Sequence, residues 1–205
     1  MSTILSLGMG YLIGCISPAA WISKRKDVDL TKEGTKNLGA TNTGLVLGKQ
    51  AGIFVMIFDI LKSFFSYRLA RFLFPQAAAA KVIASIGTIL GHCFPVHRKF
   101  RGGKGLAAFG GLILAYSPVF FLLIVIPGIL LMLLFNVGVA APIYGTIMFP
   151  ILVCLDRGVD SVFYACTAAS AIIFLTHWNN LQLARQKKDV INTKDYVNKV
   201  FGKKP

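Results

Sequence analysis

The chain has 205 residues, 55% hydrophobic and only 15% charged, which excludes an ordinary soluble domain. Its 22 Lys and Arg against 8 Asp and Glu leave a net charge of +14, gathered mostly in segments 24–50, 91–105 and 184–205. Positive charge segregated between apolar runs marks a multi-pass membrane protein with those segments on the cytoplasmic side, facing anionic lipid headgroups. No basic patch interleaved with aromatics stands in a soluble module, so nucleic acid is not the expected partner.

The first apolar run, Ile4 to Ile22, is long enough to cross a bilayer. Ser17-Pro18 should kink it, and Lys24-Arg25-Lys26 should stop it on the cytoplasmic side. It lacks the basic start and the cleavage site of a signal peptide, so it is expected to be retained. Segment 24–50 reads as a long polar loop in which Gly34, Gly39, Gly44 and Gly48 recur among Thr35, Asn37, Thr41, Asn42 and Thr43. Such a loop can cradle a phosphate or polyol, or it can be a series of side-chain turns capping the next helix. Both readings stand at this point.

A second span is expected over Ala51–Phe74, with Asp59 and Lys62 three apart on one face. Charges at that depth are costly, so the two should pair or face the protein interior. A third span, Ala77–Phe94, leads into a basic turn that carries Gly91, His92, His97, Arg98, Arg101 and then Gly102-Gly103-Lys104-Gly105. Glycines here let backbone N–H groups approach an anion, and Lys104 falls where the next helix should begin, at the positive end of its dipole. The turn is not a Walker loop, since Arg98 and Gly105 stand where that pattern requires Gly and Ser or Thr.

Leu106 to Phe135 is one long apolar run interrupted at Ser117-Pro118 and Pro127-Gly128, followed by apolar runs Val139–Leu155 and Ser161–Trp178, with Asp156-Arg157-Gly158 turning between those two. Parity divides the long run. An N-terminus outside and a basic tail inside require an odd number of spans, and splitting at Ser117-Pro118 gives seven. The piece before Pro118 is then short, which is tolerated where it lines a protein cavity. The last span should end at His177-Trp178-Asn179-Asn180, with His177 and Asn180 on one face and Trp178 at the interface. The four cysteines, Cys15, Cys93, Cys154 and Cys166, are scattered singly, and the spacing of His92 and His97 suits no common metal site, so neither disulfide nor metal is expected. The fold class is all-α: a single polytopic domain over residues 1–205, with 24–50 and 91–105 as cytoplasmic site loops and 184–205 as a basic tail.

Three segments carry a resemblance over nearly the whole chain. They are Gly34-Thr35-Lys36-Asn37-Leu38-Gly39-Ala40-Thr41-Asn42; Gly91-His92-Cys93-Phe94-Pro95-Val96 with Phe100-Arg101-Gly102-Gly103-Lys104-Gly105; and Thr176-His177-Trp178-Asn179-Asn180. With them the chain resembles the bacterial acyl-phosphate:glycerol-3-phosphate acyltransferases. Asp59-Ile60-Leu61-Lys62 matches a further feature of that family. The resemblance implies seven helices, N-terminus outside and C-terminus cytoplasmic, in the bacterial inner membrane. It implies acyl transfer from acyl phosphate to the 1-hydroxyl of glycerol 3-phosphate, giving lysophosphatidic acid and phosphate, without metal, CoA or other cofactor. A soluble enzyme that supplies acyl phosphate is a candidate partner. Carried over residue by residue, Lys104, His177, Asn180 and Thr35 are the expected catalytic residues. Gly34, Lys36, Asn37, Gly39, Asn42, Gly91, His92, Arg98, Gly102, Gly103 and Gly105 are expected to bind substrate.

This sequence departs from the family pattern where Thr35 and Lys36 replace Ser and Gly, where Leu45 replaces Arg, and where Thr176, Trp178 and Asn179 replace Arg, Arg and Glu. Lys36, with Arg98, is expected to restore the missing positive charge. Two other functions fit the same residues less well. One is a weakened relative with a different acceptor or a lipid-binding role. The other is a small transporter for a phosphorylated solute, against which stands the lack of an internal inverted repeat.

Overall fold

A computed structural model describes residues 1–186 and 193–202; Lys187, Lys188, Lys203 and Lys204 of the basic tail lie outside the described residues. Among the described residues the architecture is helical throughout, with ten α-helices and one 3-10 turn at Val96–Arg98. The expected first span is two helices, α1 (Ser2–Gly14) and α2 (Pro18–Arg25). Ser17 and Pro18 do more than kink it. The Ser17 side chain accepts the Ala20 N–H as an N-cap, and Pro18 takes the first turn, where its missing N–H costs nothing. Segment 24–50 also differs from expectation, because it contains a helix, α3 (Ala40–Leu47), started by extended Gly39.

Next come α4 (Lys49–Leu73), α5 (Ala80–Cys93), α6 (Leu106–Tyr116) and α7 (Pro118–Phe135). The long apolar run thus divides at Ser117, whose side chain caps α7 through the Phe120 N–H. α8 (Ala140–Arg157) and α9 (Ser161–Arg185) follow, then α10 (Thr193–Phe201) in the tail. α9 continues to Arg185, so His177 and Asn180 sit within a helix and not at its end. Among the described residues, four stretches are long and apolar enough to cross a membrane: Ser2–Arg25, Pro118–Phe135, Ala140–Arg157 and Ser161–Arg185. α6 is apolar but shorter.

Small residues set the helix spacing. A Cβ on Gly10, Gly14, Gly87 or Gly91 would lie between 1.9 and 2.3 Å from a backbone oxygen of the facing helix, so α1 and α5 pack backbone to backbone. This is the small-residue packing that membrane helices use in place of a hydrophobic drive. It explains Gly91, whose bare Cα abuts the Tyr11 carbonyl and is spent on helix packing, not on substrate. Gly111 of α6 meets the Ile60 carbonyl of α4 in the same way. A core of Ile89, Phe109, Leu112, Phe149, Val153 and Ile173 joins α5, α6, α8 and α9, with Phe109 edge-on to Phe149.

Asp59 and Lys62 pair as expected, with Lys62 Nζ 2.7 Å from Asp59 Oδ1. A third partner comes from α5: His92 Nδ1 lies 3.0 Å from Lys62 Nζ and 3.3 Å from Asp59 Oδ1. Lys62 also donates to the Gly14 and Ile16 carbonyls, at 3.2 and 2.9 Å. A buried ion pair is tolerable when each remaining proton has an acceptor. Here those acceptors are the orphan carbonyls at the α1–α2 break. The cluster therefore ties the end of α1 to α4 and α5, directly beneath the second basic segment.

On the far side of the bundle, Asp160 accepts the Val162 and Phe163 N–H groups and caps α9. The Arg157 guanidinium beside it, with those N–H groups, holds its carboxyl below the usual range. α10 lies over α3, with the Tyr196 phenol against the α-carbon of Gly44.

Candidate functional site

The second basic segment turns back on the end of α5. Pro95 is extended, and Lys99 and Phe100 take left-handed φ values of 53° and 60°. Both the Arg98 and Phe100 N–H groups donate to the Pro95 carbonyl at 3.0 Å. Tyr11 of α1 pins the start of the turn: its hydroxyl donates to the Phe94 carbonyl at 2.8 Å and accepts the Val96 N–H at 3.0 Å.

The chain then crosses the end of α5, where the Gly103 N–H donates to the His92 carbonyl at 3.0 Å. A Cβ on Gly102 would stand 2.0 Å from that carbonyl oxygen. One on Gly103 would stand 2.0 Å from His92 Nε2 and 2.8 Å from the Leu38 carbonyl of the first segment. The glycines are there because three layers of backbone and ring meet without room for a side chain. The expected anion nest is thereby changed, since the Gly103 N–H is bound to protein and not free for a ligand. His92 likewise works from below, fixed to Lys62 and Asp59 and supporting Gly103. Gly105, at φ 82°, starts α6 against the Cys93 sulfur and Ile173.

Lys104 joins the second segment to the third. Its ammonium donates to Asn180 Oδ1 at 2.5 Å, and its carbonyl accepts the Thr176 hydroxyl at 2.8 Å. His177, only 5% exposed, lies one turn before Asn180 on α9, with Nδ1 2.9 Å from the Ile173 carbonyl. A carbonyl only accepts, so Nδ1 carries a proton, and when the ring is neutral its lone pair is on Nε2.

In the first segment Asn42, 1% exposed, is the keystone. It accepts the Thr35 N–H at 2.6 Å, and its two N–H protons are shared among the Leu30, Glu33 and Asn37 carbonyls at 2.8, 3.1 and 2.9 Å. Its amide is consumed in closing the loop and is not offered to a ligand. Gly34 and Lys36 both take left-handed φ values of 56° on this ring, with Gly34 against Asn42 and Asn37 beside Gly39. Leu45, half-buried on α3, presents no polar group.

Two cavities flank Gly102-Gly103-Lys104. One, of about 470 Å³, is walled by Lys32, Lys36 and Arg101, with Thr31, Phe100 and Cys93. The other, of about 410 Å³, is walled by Leu90, Phe94, Ile172 and Leu175, with Lys104 and Thr176 at its polar side. Arg98 lines neither cavity, so the charge beside Lys36 comes from Arg101 and Lys32. Arg101 follows the left-handed pair at 99–100 and lines the cavity, a consequence of backbone path that side-chain charge alone does not announce.

Comparison with known proteins bears on the same residues. Residues 4–187 match the family model described as glycerol-3-phosphate acyltransferase. The glycerol-3-phosphate acyltransferase of Coxiella burnetii (strain RSA 493 / Nine Mile phase I) is 33% identical over 187 residues, covering 91% of this chain and 96% of that protein. That of Streptococcus sanguinis (strain SK36) is 34% identical over 200 residues, covering 92% and 91%. Two crystal structures of PlsY (YgiH), an integral membrane glycerol 3-phosphate acyltransferase, are similar in fold. The glycerol 3-phosphate form has a TM-score of 0.85 at 28% identity, and the lysophosphatidic acid form 0.78 at 27%; each comparison covers 92% of this chain and 94% of the other.

Proposed function

The chain belongs to the glycerol-3-phosphate acyltransferase family, and on that premise we propose that it transfers a fatty acyl group from acyl phosphate to the 1-hydroxyl of glycerol 3-phosphate, releasing lysophosphatidic acid and phosphate. It is an acyltransferase, and the reading adds donor, product and residues. The observation that carries it is the Lys104–Asn180 bond at 2.5 Å, set between a cationic cavity and an apolar one.

The acyl chain occupies the apolar side, between α5 and α9, with its carbonyl near Lys104. The acceptor enters on the cationic side. The 1-hydroxyl oxygen bonds to the acyl carbon, the carbon–oxygen bond to phosphate breaks, and phosphate leaves with the bonding pair. Lys104 offsets the charge that gathers on that leaving phosphate. His177 Nε2 takes the hydroxyl proton, a role that elsewhere contributes about 10²–10⁴-fold. Asn180 has its oxygen on Lys104, which leaves its N–H₂ to donate to the carbonyl oxygen as charge builds there. A donor of that kind contributes about 2.7–4 kcal/mol in other enzymes. Thr35 and Asn37 flank Lys36, which lines the acceptor side. Phosphate is already a good leaving group, so the reaction as written requires neither metal nor CoA.

The same reading takes α4, α5 and the short α6 as crossing the bilayer along with the four long apolar stretches. The chain then crosses seven times as one domain, N-terminus outside and C-terminus in the cytoplasm of a bacterial inner membrane, with segments 24–50 and 91–105 facing a soluble source of acyl phosphate. The test is purified protein mixed with acyl phosphate and glycerol 3-phosphate, scored for lysophosphatidic acid beside Lys104→Ala. Product that falls by two orders of magnitude in the variant supports the reading. Product formed equally by both, or by neither at any donor concentration, rejects it.

A further inference from the structure

Lys36 is in the wrong backbone conformation for a lysine. Its φ of 56° is left-handed, a region that crowds any Cβ and that glycine occupies freely. The turn itself is ordinary, since the Lys36 N–H donates to the Glu33 carbonyl at 2.9 Å, a bond glycine would make equally well. Nothing in the fold therefore requires a side chain at 36. The strain is kept for what the side chain does, and strain of this kind is a pointer to function where a site is at hand.

The site is the cationic cavity. Lys36 lines it from the first segment with Lys32, and Arg101 and Gly102 close it from the second. Lys36 is exposed, and the structure gives its ammonium no acidic partner among the described residues. Lys32 is 3.6 Å from Asp29, an exposed pair that solvent and a competing anion readily open.

We infer that Lys36 is a specificity-determining residue for the acceptor: with Lys32 and Arg101 it binds a phosphate monoester dianion in the cationic cavity. The inference rests on the acyltransferase reading and names the ligand of one of its two compartments. Both substrates of that reaction carry phosphate. The acyl donor needs the apolar cavity on the opposite side of Gly102-Gly103, beside Lys104, so the dianion beside Lys36 belongs to glycerol 3-phosphate. About 470 Å³ is room for a phosphorylated three-carbon polyol.

The experiment compares the full chain with Lys36→Gly and Lys36→Arg. Glycine removes the cation and the strain together, so function and stability should move in opposite directions. Lys36→Gly should raise KM for glycerol 3-phosphate about tenfold, hold kcat within about twofold, and melt no lower than the parent. Lys36→Arg should restore most of the affinity, and KM for acyl phosphate should not change in either variant. An unmoved KM for glycerol 3-phosphate, or a rise in KM for acyl phosphate alone, overturns the assignment. A lower melting temperature for Lys36→Gly would mean the side chain serves the fold, which also overturns it. Calorimetric binding of glycerol 3-phosphate reports independently of turnover. Without turnover, a Kd that rises tenfold in Lys36→Gly upholds the site and rejects only the reaction.

Discussion

Replacing Gly103 by alanine isolates the geometry on which catalysis should depend. The new methyl would begin 2.0 Å from His92 Nε2 and 2.8 Å from the Leu38 carbonyl. Ordinary contact between such atoms is roughly 3.5–4.0 Å, so something must move by about 1.5 Å. The His92 ring cannot retreat, because its Nδ1 is fixed 3.0 Å from Lys62 Nζ and 3.3 Å from Asp59 Oδ1. The Gly102–Lys104 backbone moves instead, and the 2.5 Å bond from Lys104 to Asn180 should open. A misplacement of about 1 Å in an active site can cost about 10²-fold, so kcat/KM for lysophosphatidic acid formation should fall by that order. Gly110→Ala is the control. Its nearest neighbour would be Phe121 at 3.5 Å, and a helical Gly→Ala change there should stabilise by up to about 1 kcal/mol. Both variants would be assayed for initial rate and melting temperature. If Gly103→Ala kept its kcat/KM within about threefold of the parent, the claim that bare backbone sets the position of Lys104 would be wrong.

Gly91→Ala should separate α1 from α5, since its Cβ would lie 2.1 Å from the Tyr11 carbonyl; a loss of about 1–3 kcal/mol is expected on unfolding in detergent, whereas Gly8→Ala, with open space around it, should cost nothing. Tyr11→Phe leaves the Phe94 carbonyl and the Val96 N–H without their shared hydroxyl, and should cost about 0.5–1.5 kcal/mol while loosening the 91–105 turn to limited proteolysis. Asp160→Ala removes the α9 cap and a carboxylate whose folded pKa is depressed, chiefly by Arg157. Such a group stabilises above its unfolded pKa, and its contribution disappears as pH falls through the folded value. The melting temperature of the variant should thus trail the parent at pH 7, and the gap should close as pH falls through the lowered folded pKa.

Part of this was legible in the chain and part was not, for physical reasons that differ from residue to residue. Ser117-Pro118 offers a capping hydroxyl before a proline, which together with span parity located the break between α6 and α7; proline alone does not mark a break, since Pro127 and Pro150 lie inside helices. Asp59 and Lys62 were readable because helical spacing puts them together, but His92, from another helix, joins them only through tertiary packing. α3 was hidden because Thr41-Asn42-Thr43-Gly44 has little helical preference, and the helix forms where Gly44 packs on Gly52 of α4. Asn42 was read as a ligand donor because an amide in a polar loop has that capacity. Its four bonds go to the loop itself, a matter of ring closure that no spacing rule shows.

The glycines of the second segment show the deepest ambiguity. A bare α-carbon serves an anion nest and a tight backbone crossing equally, and the sequence is silent between them. The crossing at His92 and Leu38 decides for the second, and it changes what the segment is for. Two compartments of opposite polarity meet across a wall one strand thick at Gly102 and Gly103. A hydroxyl and an acyl carbon must approach to about 3–3.5 Å to react, while their carriers, a dianion and a hydrocarbon chain, demand surroundings that cannot mix. No bond forms through that backbone, so the proposed reaction takes place past its end, and side chains at 102 and 103 would displace that end and hold the reacting atoms apart. Lys104, the first residue beyond the glycines, stands at the end of that wall, where charge from one side can meet carbonyl from the other.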